Sequence, residues 1–70
     1  MNMDLSTLNV GGSIISALLR SPIQKYEDLQ GIVLQELGDS AKPEFLNALS
    51  FLYVMGKINY RSSADVIELI

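Results

Sequence analysis

The sequence predicts a mainly α fold of three helices followed by a small C-terminal β-hairpin, and three observations lead to this prediction. Apolar residues recur at helical spacing in two stretches before residue 38. A third stretch, from Phe45 to Met55, is apolar nearly all round and is stopped by Gly56. After Gly56, apolar and polar residues alternate on either side of a short polar turn, which is typical of a hairpin.

The first predicted helix runs from about Leu5 to Arg20. Asp4 is its expected N-cap, because its carboxylate can accept a hydrogen bond from a free backbone N–H of the first turn. Ser21 precedes Pro22 and is therefore pushed out of the α region, which ends the helix. The expected buried stripe, widened on one side, consists of Leu5, Leu8, Gly12, Ile15 and Leu19 with Val10, Ile14 and Leu18.

The second predicted helix runs from about Tyr26 to Leu37 and ends at Gly38, which can adopt a left-handed conformation freely. The third is expected to begin near Ser40 as its N-cap and to tolerate Pro43 in its first turn. The buried face of the second helix is expected to consist of Leu29, Ile32, Val33 and Leu37.

The third helix carries the most informative pattern of the chain. Its inward stripe is expected to be Phe45, Ala48, Leu49, Leu52 and Met55. The opposite face carries Asn47, Ser50, Phe51 and Val54, flanked by Leu46 and Tyr53. A DNA-binding helix would carry Arg, Lys, Asn and Gln here, so this face suits a protein partner better. The alternative is that the hairpin or the first helix covers Phe51 and Val54.

The remaining residues predict strands at Lys57 to Tyr60 and Asp65 to Leu69, joined by a turn at Arg61 to Ala64. Together with the helices they form a minimal winged helix-turn-helix, in which the hairpin is the wing. The last strand contains a single charge, and an apolar edge strand of this kind invites pairing with another strand unless something covers it. The residues expected to face the core are Ile58, Tyr60, Ile67 and Leu69.

Size and composition favour a partner. The 70 residues are expected to form a single domain, spanning 1–70, with a small core. Hydrophobic residues make up 49% of the chain, more than a three-helix domain of this size easily buries. This excess favours a permanent protein partner or a homodimer, and the alternative is a well-filled core with an ordinary apolar surface.

The side chains offer little catalytic chemistry. The chain contains no His and no Cys, so it lacks an imidazole base, a thiolate nucleophile and the usual ligands of structural zinc. Glu27 and Asp28 are adjacent, and on a helix adjacent side chains point about 100° apart instead of converging on one substrate. We therefore expect no catalytic, cofactor-binding or metal-binding residues and no enzymatic activity.

Charge argues against nucleic acid and membrane. The formal net charge is −3, from five basic and eight acidic residues. The basic residues are scattered, whereas nucleic-acid binding draws on clustered Lys and Arg. The longest uncharged stretch, Leu5 to Leu19, is too polar to span a bilayer, and Asp4 lies where a signal peptide would be positive. We expect a cytoplasmic protein without direct nucleic-acid or membrane contact.

Five short stretches form a pattern that covers nearly the whole chain: Asp4-Leu5-Ser6-x-Leu8, Tyr26-Glu-Asp-Leu29, Phe45-Leu-x-Ala-Leu-x-Phe-Leu52, Gly56-Lys-Ile-x-Tyr60 and Asp65-Val-Ile-Glu-Leu69. In these stretches the chain resembles the small middle components of bacterial ABC-three-component systems. The resemblance implies a cytoplasmic accessory subunit of a defence system against invading elements such as phage. The resemblance further implies that the chain links an ABC-type ATPase, related to chromosome-maintenance and repair ATPases, to an effector. The resemblance supplies no catalytic residues.

The leading hypothesis is therefore a non-enzymatic adaptor that binds an ATPase or effector subunit through the outer face of the third helix. The expected protein-binding residues are Leu46, Asn47, Ser50, Phe51, Tyr53 and Val54. The alternative is a dimeric winged-helix DNA-binding transcriptional regulator, with Lys42, Lys57 and Arg61 on phosphates. A third, weaker possibility is a self-assembling domain whose apolar patch pairs only with its own copy.

Overall fold

The computed structural model describes residues 5–70, with side chains from residue 7 onwards. The three helices are α1 (Leu5–Arg20), α2 (Tyr26–Leu37) and α3 (Lys42–Val54). The three strands are β1 (Ile23–Lys25), β2 (Ile58–Arg61) and β3 (Val66–Leu69). The bounds of α1 and α2 agree with the sequence prediction, β1 was not predicted, and the predicted N-cap Asp4 lies outside the described residues.

The strands form one antiparallel sheet in the order β1-β3-β2. Gln24 of β1 and Tyr60 of β2 both lie opposite Ile67, on either side of β3. The interpretation of the last strand as an edge strand is therefore wrong, because β3 is the central strand and both its edges are paired. Three helices with this small sheet are consistent with a winged helix-like fold.

The core lies where the helices meet the inner face of the sheet. The ring of Tyr26, at the start of α2, and the ring of Phe45 form a T-shaped pair, with centroids 5.3 Å apart and planes at 88°. This contact ties the beginnings of α2 and α3 together beside the hairpin. The largest fully buried side chains are Phe45, Ile14, Leu18, Leu29, Ile67 and Val33.

The buried face of α1 is rotated from the predicted stripe. Leu8 and Leu19 were expected inside, but they are 49% and 67% exposed. Thr7 and Ser13 are buried instead, and their hydroxyls donate to Glu44 Oε2 (2.9 Å) and Glu36 Oε2 (3.2 Å). The prediction failed because it placed only apolar residues inside, whereas hydroxyls with carboxylate partners can also be buried. The apolar residues of the actual face are Val10, Ile14, Ala17 and Leu18.

Smaller differences affect α2 and the ends of α3. Ile32 and Leu37 were expected in the core but are each 37% exposed. Ser40 is not an N-cap, because a 3₁₀ turn over Asp39–Ala41 precedes α3. Met55 lies in the turn after α3 and is 52% exposed instead of facing inward.

The two glycines predicted to end helices are confirmed. Gly38 has a φ of 90° and its N–H donates to the Leu34 carbonyl at 2.8 Å, so it closes α2. Gly56 has a φ of 74° and its N–H donates to the Tyr53 carbonyl at 3.0 Å. The left-handed backbone at Gly56 turns the chain from α3 into β2.

Candidate functional site

A groove with a cavity volume of about 440 Å³ lies between α3 and the sheet, beside β2. We call it the α3 groove. On α3 it is lined by Leu46, Leu49, Ser50, Tyr53 and Val54, and on the sheet by Ile58, Tyr60 and Ile67; the ninth residue is Tyr26.

The spacing of the α3 residues explains why they share this groove. Leu46, Ser50 and Tyr53 recur at intervals of four and three, which places them on one side of a helix. On β2, Ile58 and Tyr60 are two apart and therefore point to the same face of the sheet. Because Gly56 turns the chain sharply, these two sets of side chains face each other across a short distance.

The floor of the groove is buried and its α3 wall is exposed. Leu49, Ile58 and Ile67 are at most 7% exposed, and they belong to the core. Leu46, Tyr53 and Val54 are 61%, 58% and 74% exposed. An apolar wall of this kind above a core-connected floor is a common feature of sites that bind protein segments.

The structure brings four of the six predicted protein-binding residues together in the groove, namely Leu46, Ser50, Tyr53 and Val54. Asn47 is exposed on α3 but does not line the groove. Phe51 was expected on the outer face, yet it is half-buried and packs against the core.

The placement of Phe51 follows from the helical geometry. Each residue advances about 100°, so Phe51 lies only about 60° from the buried Ala48, on the flank opposite the groove. The helix is therefore covered on two sides, which a simple division into inner and outer faces does not capture. The alternative interpretation was that the hairpin or the first helix covers Phe51 and Val54. Phe51 is half-buried, whereas Val54 is largely exposed.

Sequence reasoning missed the groove residues outside α3. Ile58, Tyr60 and Ile67 were predicted as core residues, and Tyr26 only as a helix start. Tyr60 is on the expected face of the sheet but is 45% exposed. The alternation along the strands gave the correct face, but no local pattern signals that α3 and β2 leave a gap between them.

A hydrogen bond at the hairpin turn holds Tyr60 in place at the edge of the α3 groove. The Tyr60 hydroxyl donates to Asp65 Oδ1 at 2.6 Å, and this hydrogen bond raises the pKa of the Tyr60 phenol. The Asp65 carbonyl accepts from the Tyr26 backbone N–H at 3.0 Å. Asp65 thus connects the hairpin to the start of α2 and positions the Tyr60 ring at the groove.

The three basic residues of the DNA-binding alternative do not form one patch. Lys42 begins α3 and Lys57 follows its end, so they lie about 20 Å apart along a helix of this length. The Arg61 Nε lies 3.2 Å from Glu68 Oε1, which also accepts from Asn59 Nδ2 at 3.1 Å. Part of the positive charge on the wing is therefore offset by a carboxylate.

The hydrogen bonds to Glu68 shift the pKa of its carboxyl group. The hydrogen bond from Asn59, and after it that from Arg61, lowers the pKa of Glu68 below the ordinary value of 4.5. A lowered folded-state pKa stabilises the fold above that ordinary value, and the contribution is lost as pH falls through the folded pKa. We expect Asn59→Ala to raise the Glu68 pKa, as followed by NMR of the side-chain carboxyl carbon. Asn47→Ala on α3 is the control, and an unchanged Glu68 titration in Asn59→Ala would contradict the assignment.

None of the helices within residues 5–70 is long and apolar enough to cross a membrane. Over the same residues, no group of three or more acidic side chains is placed to hold a metal ion.

Comparison with known proteins identifies a family. The model of a family described as ABC-three component (ABC-3C) system Middle Component 8 matches residues 22–70. The match covers well over half of the chain, from β1 to the last strand, and includes every residue that lines the α3 groove. No curated protein and no solved structure matches the chain. The family match alone establishes that the chain belongs to the middle component 8 family of ABC-three-component systems.

Proposed function

We propose that this protein is a cytoplasmic, non-enzymatic adaptor that links an ABC-type ATPase to an effector in a bacterial defence system. It binds at least one of these partners through the α3 groove. Membership of a three-component system supports the existence of protein partners. The observation that carries the choice of surface is the exposed apolar wall of α3 beside a cavity of about 440 Å³.

The groove has the composition of a protein-binding site. Leu46 and Val54 supply aliphatic surface, and Tyr53 supplies a large ring whose hydroxyl can stay in water while the ring is covered. Full burial of such side chains contributes roughly 1.5–3 kcal/mol each. Aromatic anchors near the centre of an interface commonly dominate its energetics. Ser50, exposed on the same helix and part of the groove lining, can supply a polar contact at the rim.

The chemistry of the chain supports an adaptor role instead of a catalytic one. It contains neither His nor Cys, which removes the commonest general base and the strongest side-chain nucleophile. The carboxylate that contacts the groove residue Tyr60, that of Asp65, accepts the Tyr60 hydroxyl and supports the fold locally. We therefore assign the α3 groove to binding.

The test is a tagged pull-down from the native host, with nuclease treatment and identification of bound proteins by mass spectrometry. We expect an ABC-type ATPase and a second protein of the same system to be recovered equally with and without nuclease. Recovery of the chain alone, or recovery that disappears on nuclease treatment, would contradict the adaptor and support the DNA-binding regulator. Reconstitution from purified components then gives the dissociation constant used below.

A further inference from the structure

β2 is an edge strand, and the sheet supplies no hydrogen-bond partner for the backbone groups on its outer side. In the order β1-β3-β2, only β3 is beside it. The Ile70 N–H donates to the Lys57 carbonyl at 3.0 Å, so these two residues form a hydrogen-bonded pair of the antiparallel ladder. Such pairs alternate along a strand. The backbone N–H and C=O groups of Asn59 and Arg61 therefore bond to β3. Those of Ile58 and Tyr60 point away from it.

The hydrogen bonds between β3 and the β1 side of the sheet support this assignment. The Leu69 N–H donates to the Pro22 carbonyl at 2.8 Å, which shows that alternate residues of β3 serve the opposite neighbour. Ile58 and Tyr60 are thus the residues with outward backbone groups. Outside the sheet, neither amide donates to a backbone carbonyl within residues 5–70.

The free backbone groups and the groove belong to the same two residues. Ile58 and Tyr60 line the α3 groove, and the backbone groups of the same two residues point away from β3 along the free edge of the sheet. A strand added beside β2 would place every second side chain on the groove face, because side chains alternate across a sheet. Those side chains would meet the exposed wall of Tyr53 and Val54 on α3.

Charge on the opposite face indicates what the other side chains of such a strand should be. Lys57, Asn59 and Arg61 alternate with the groove residues and therefore share the outer face of the sheet. Lys57 is exposed and has no ion-pair partner within the described part of the chain, and the Arg61 side chain is 62% exposed. Cross-strand pairs of opposite charge are favourable and like charges directly opposite are not. The added strand should therefore carry Asp or Glu on this face.

The same charges argue against a second copy of this chain as the occupant. Antiparallel pairing of two β2 strands centred on Asn59 would put Lys57 of each copy opposite Arg61 of the other. Both resulting contacts are between positive charges. Basic residues on an edge strand are a common protection against pairing between identical chains.

We propose that a segment of the protein partner binds along the free edge of β2 as a fourth strand, with alternating apolar and acidic residues. The apolar side chains enter the α3 groove, and the acidic ones lie beside Lys57 and Arg61. This inference rests on the proposed function, because it specifies the shape and chemistry of the segment that occupies the same surface. Strand addition supplies affinity through backbone hydrogen bonds and specificity through alternate side chains.

The decisive measurement is amide hydrogen exchange at single residues. The full chain, labelled with ¹⁵N, is exchanged alone or in complex with each of the two proteins recovered in the pull-down, then released and examined by NMR. We expect exchange at Ile58 and Tyr60 to slow about tenfold or more in the complex. Asn59 and Arg61 should change less, because β3 already protects their amides.

The outcomes separate the two proposals. If the partners bind but the Ile58 and Tyr60 amides exchange in every complex as in the free chain, strand addition is wrong and the adaptor stands. If no component of the system binds, both proposals fall together.

A charge reversal tests the acidic character of the segment. Lys57→Glu should weaken binding of the partner that slows this exchange about five- to tenfold. Lys25→Glu is the matched control: it makes the same change in net charge on the same face of the sheet, at the end of the opposite edge strand. Its dissociation constant should change less than about twofold. Equal effects of the two variants would show that only overall charge matters, and would overturn the pairing with acidic residues.

Discussion

Phe45→Ala is expected to lower the free energy of unfolding by about 3–5 kcal/mol, a large effect for a single truncation. Phe45 is fully buried at the start of α3. The substitution removes apolar contacts, leaves a cavity that rigid neighbours fill only in part, and deletes the edge contact with Tyr26. A domain of 70 residues has little stability to spare, so much of the variant should be unfolded at 37 °C.

Urea denaturation followed by circular dichroism at 222 nm measures this loss. Leu46→Ala is the matched control, because it truncates the next residue of the same helix at a site that is 61% exposed. Its free energy of unfolding should change by less than about 1 kcal/mol. Phe45→Leu, which keeps most of the volume, should lie between the two. Similar midpoints for Phe45→Ala and Leu46→Ala would show that the ring does not anchor the core.

Local signals in the sequence predicted the helices and the hairpin well. The apolar spacing in α1 and α2 gave their bounds, and Gly38 and Gly56 marked two helix ends through their positive φ angles. Each of these signals lies within one turn of the feature it specifies. Secondary structure that depends on neighbouring residues is therefore accessible from the sequence alone.

Features that depend on distant residues were not accessible. β1 contains only three residues, too few for a recognisable alternation, and it exists because it pairs with β3 more than 40 residues later. The same pairing turned the expected edge strand into the central one. Thr7 and Ser13 are buried because Glu44 and Glu36 supply hydrogen-bond partners from other helices. No pattern within α1 predicts those partners.

The candidate site was predicted in part for the same reason. Four residues of α3 could be grouped by helical spacing, whereas their neighbours Tyr26, Ile58 and Ile67 come from other elements. Phe51 was misplaced because the sequence does not show how far the core wraps around α3. The groove exists only once α3 and the hairpin are packed together.

Tyr53→Asp is expected to weaken binding of the partner at least about thirtyfold while leaving the fold intact. Tyr53 stands in the middle of the exposed α3 wall and is 58% exposed. A central aromatic anchor commonly contributes about 2 kcal/mol or more, and a carboxylate in an apolar groove adds a desolvation cost. An acidic residue near the C-terminal end of a helix should cost the fold only about 0.5 kcal/mol. Binding to the purified groove-binding partner by isothermal titration calorimetry, together with the thermal midpoint, measures both effects.

Asn47→Asp is the control for this variant. It adds the same charge to an exposed position of the same helix that does not line the groove, so affinity should stay within about threefold of the natural chain. Phe51→Asp gives the opposite contrast, because its half-buried ring packs against the core and its loss should lower the thermal midpoint markedly. Unchanged binding by Tyr53→Asp, or equal loss in Asn47→Asp, would remove the groove from the interface. Binding lost in Tyr53→Asp alone, at an unchanged midpoint, would assign the interface to the side of α3 that faces β2.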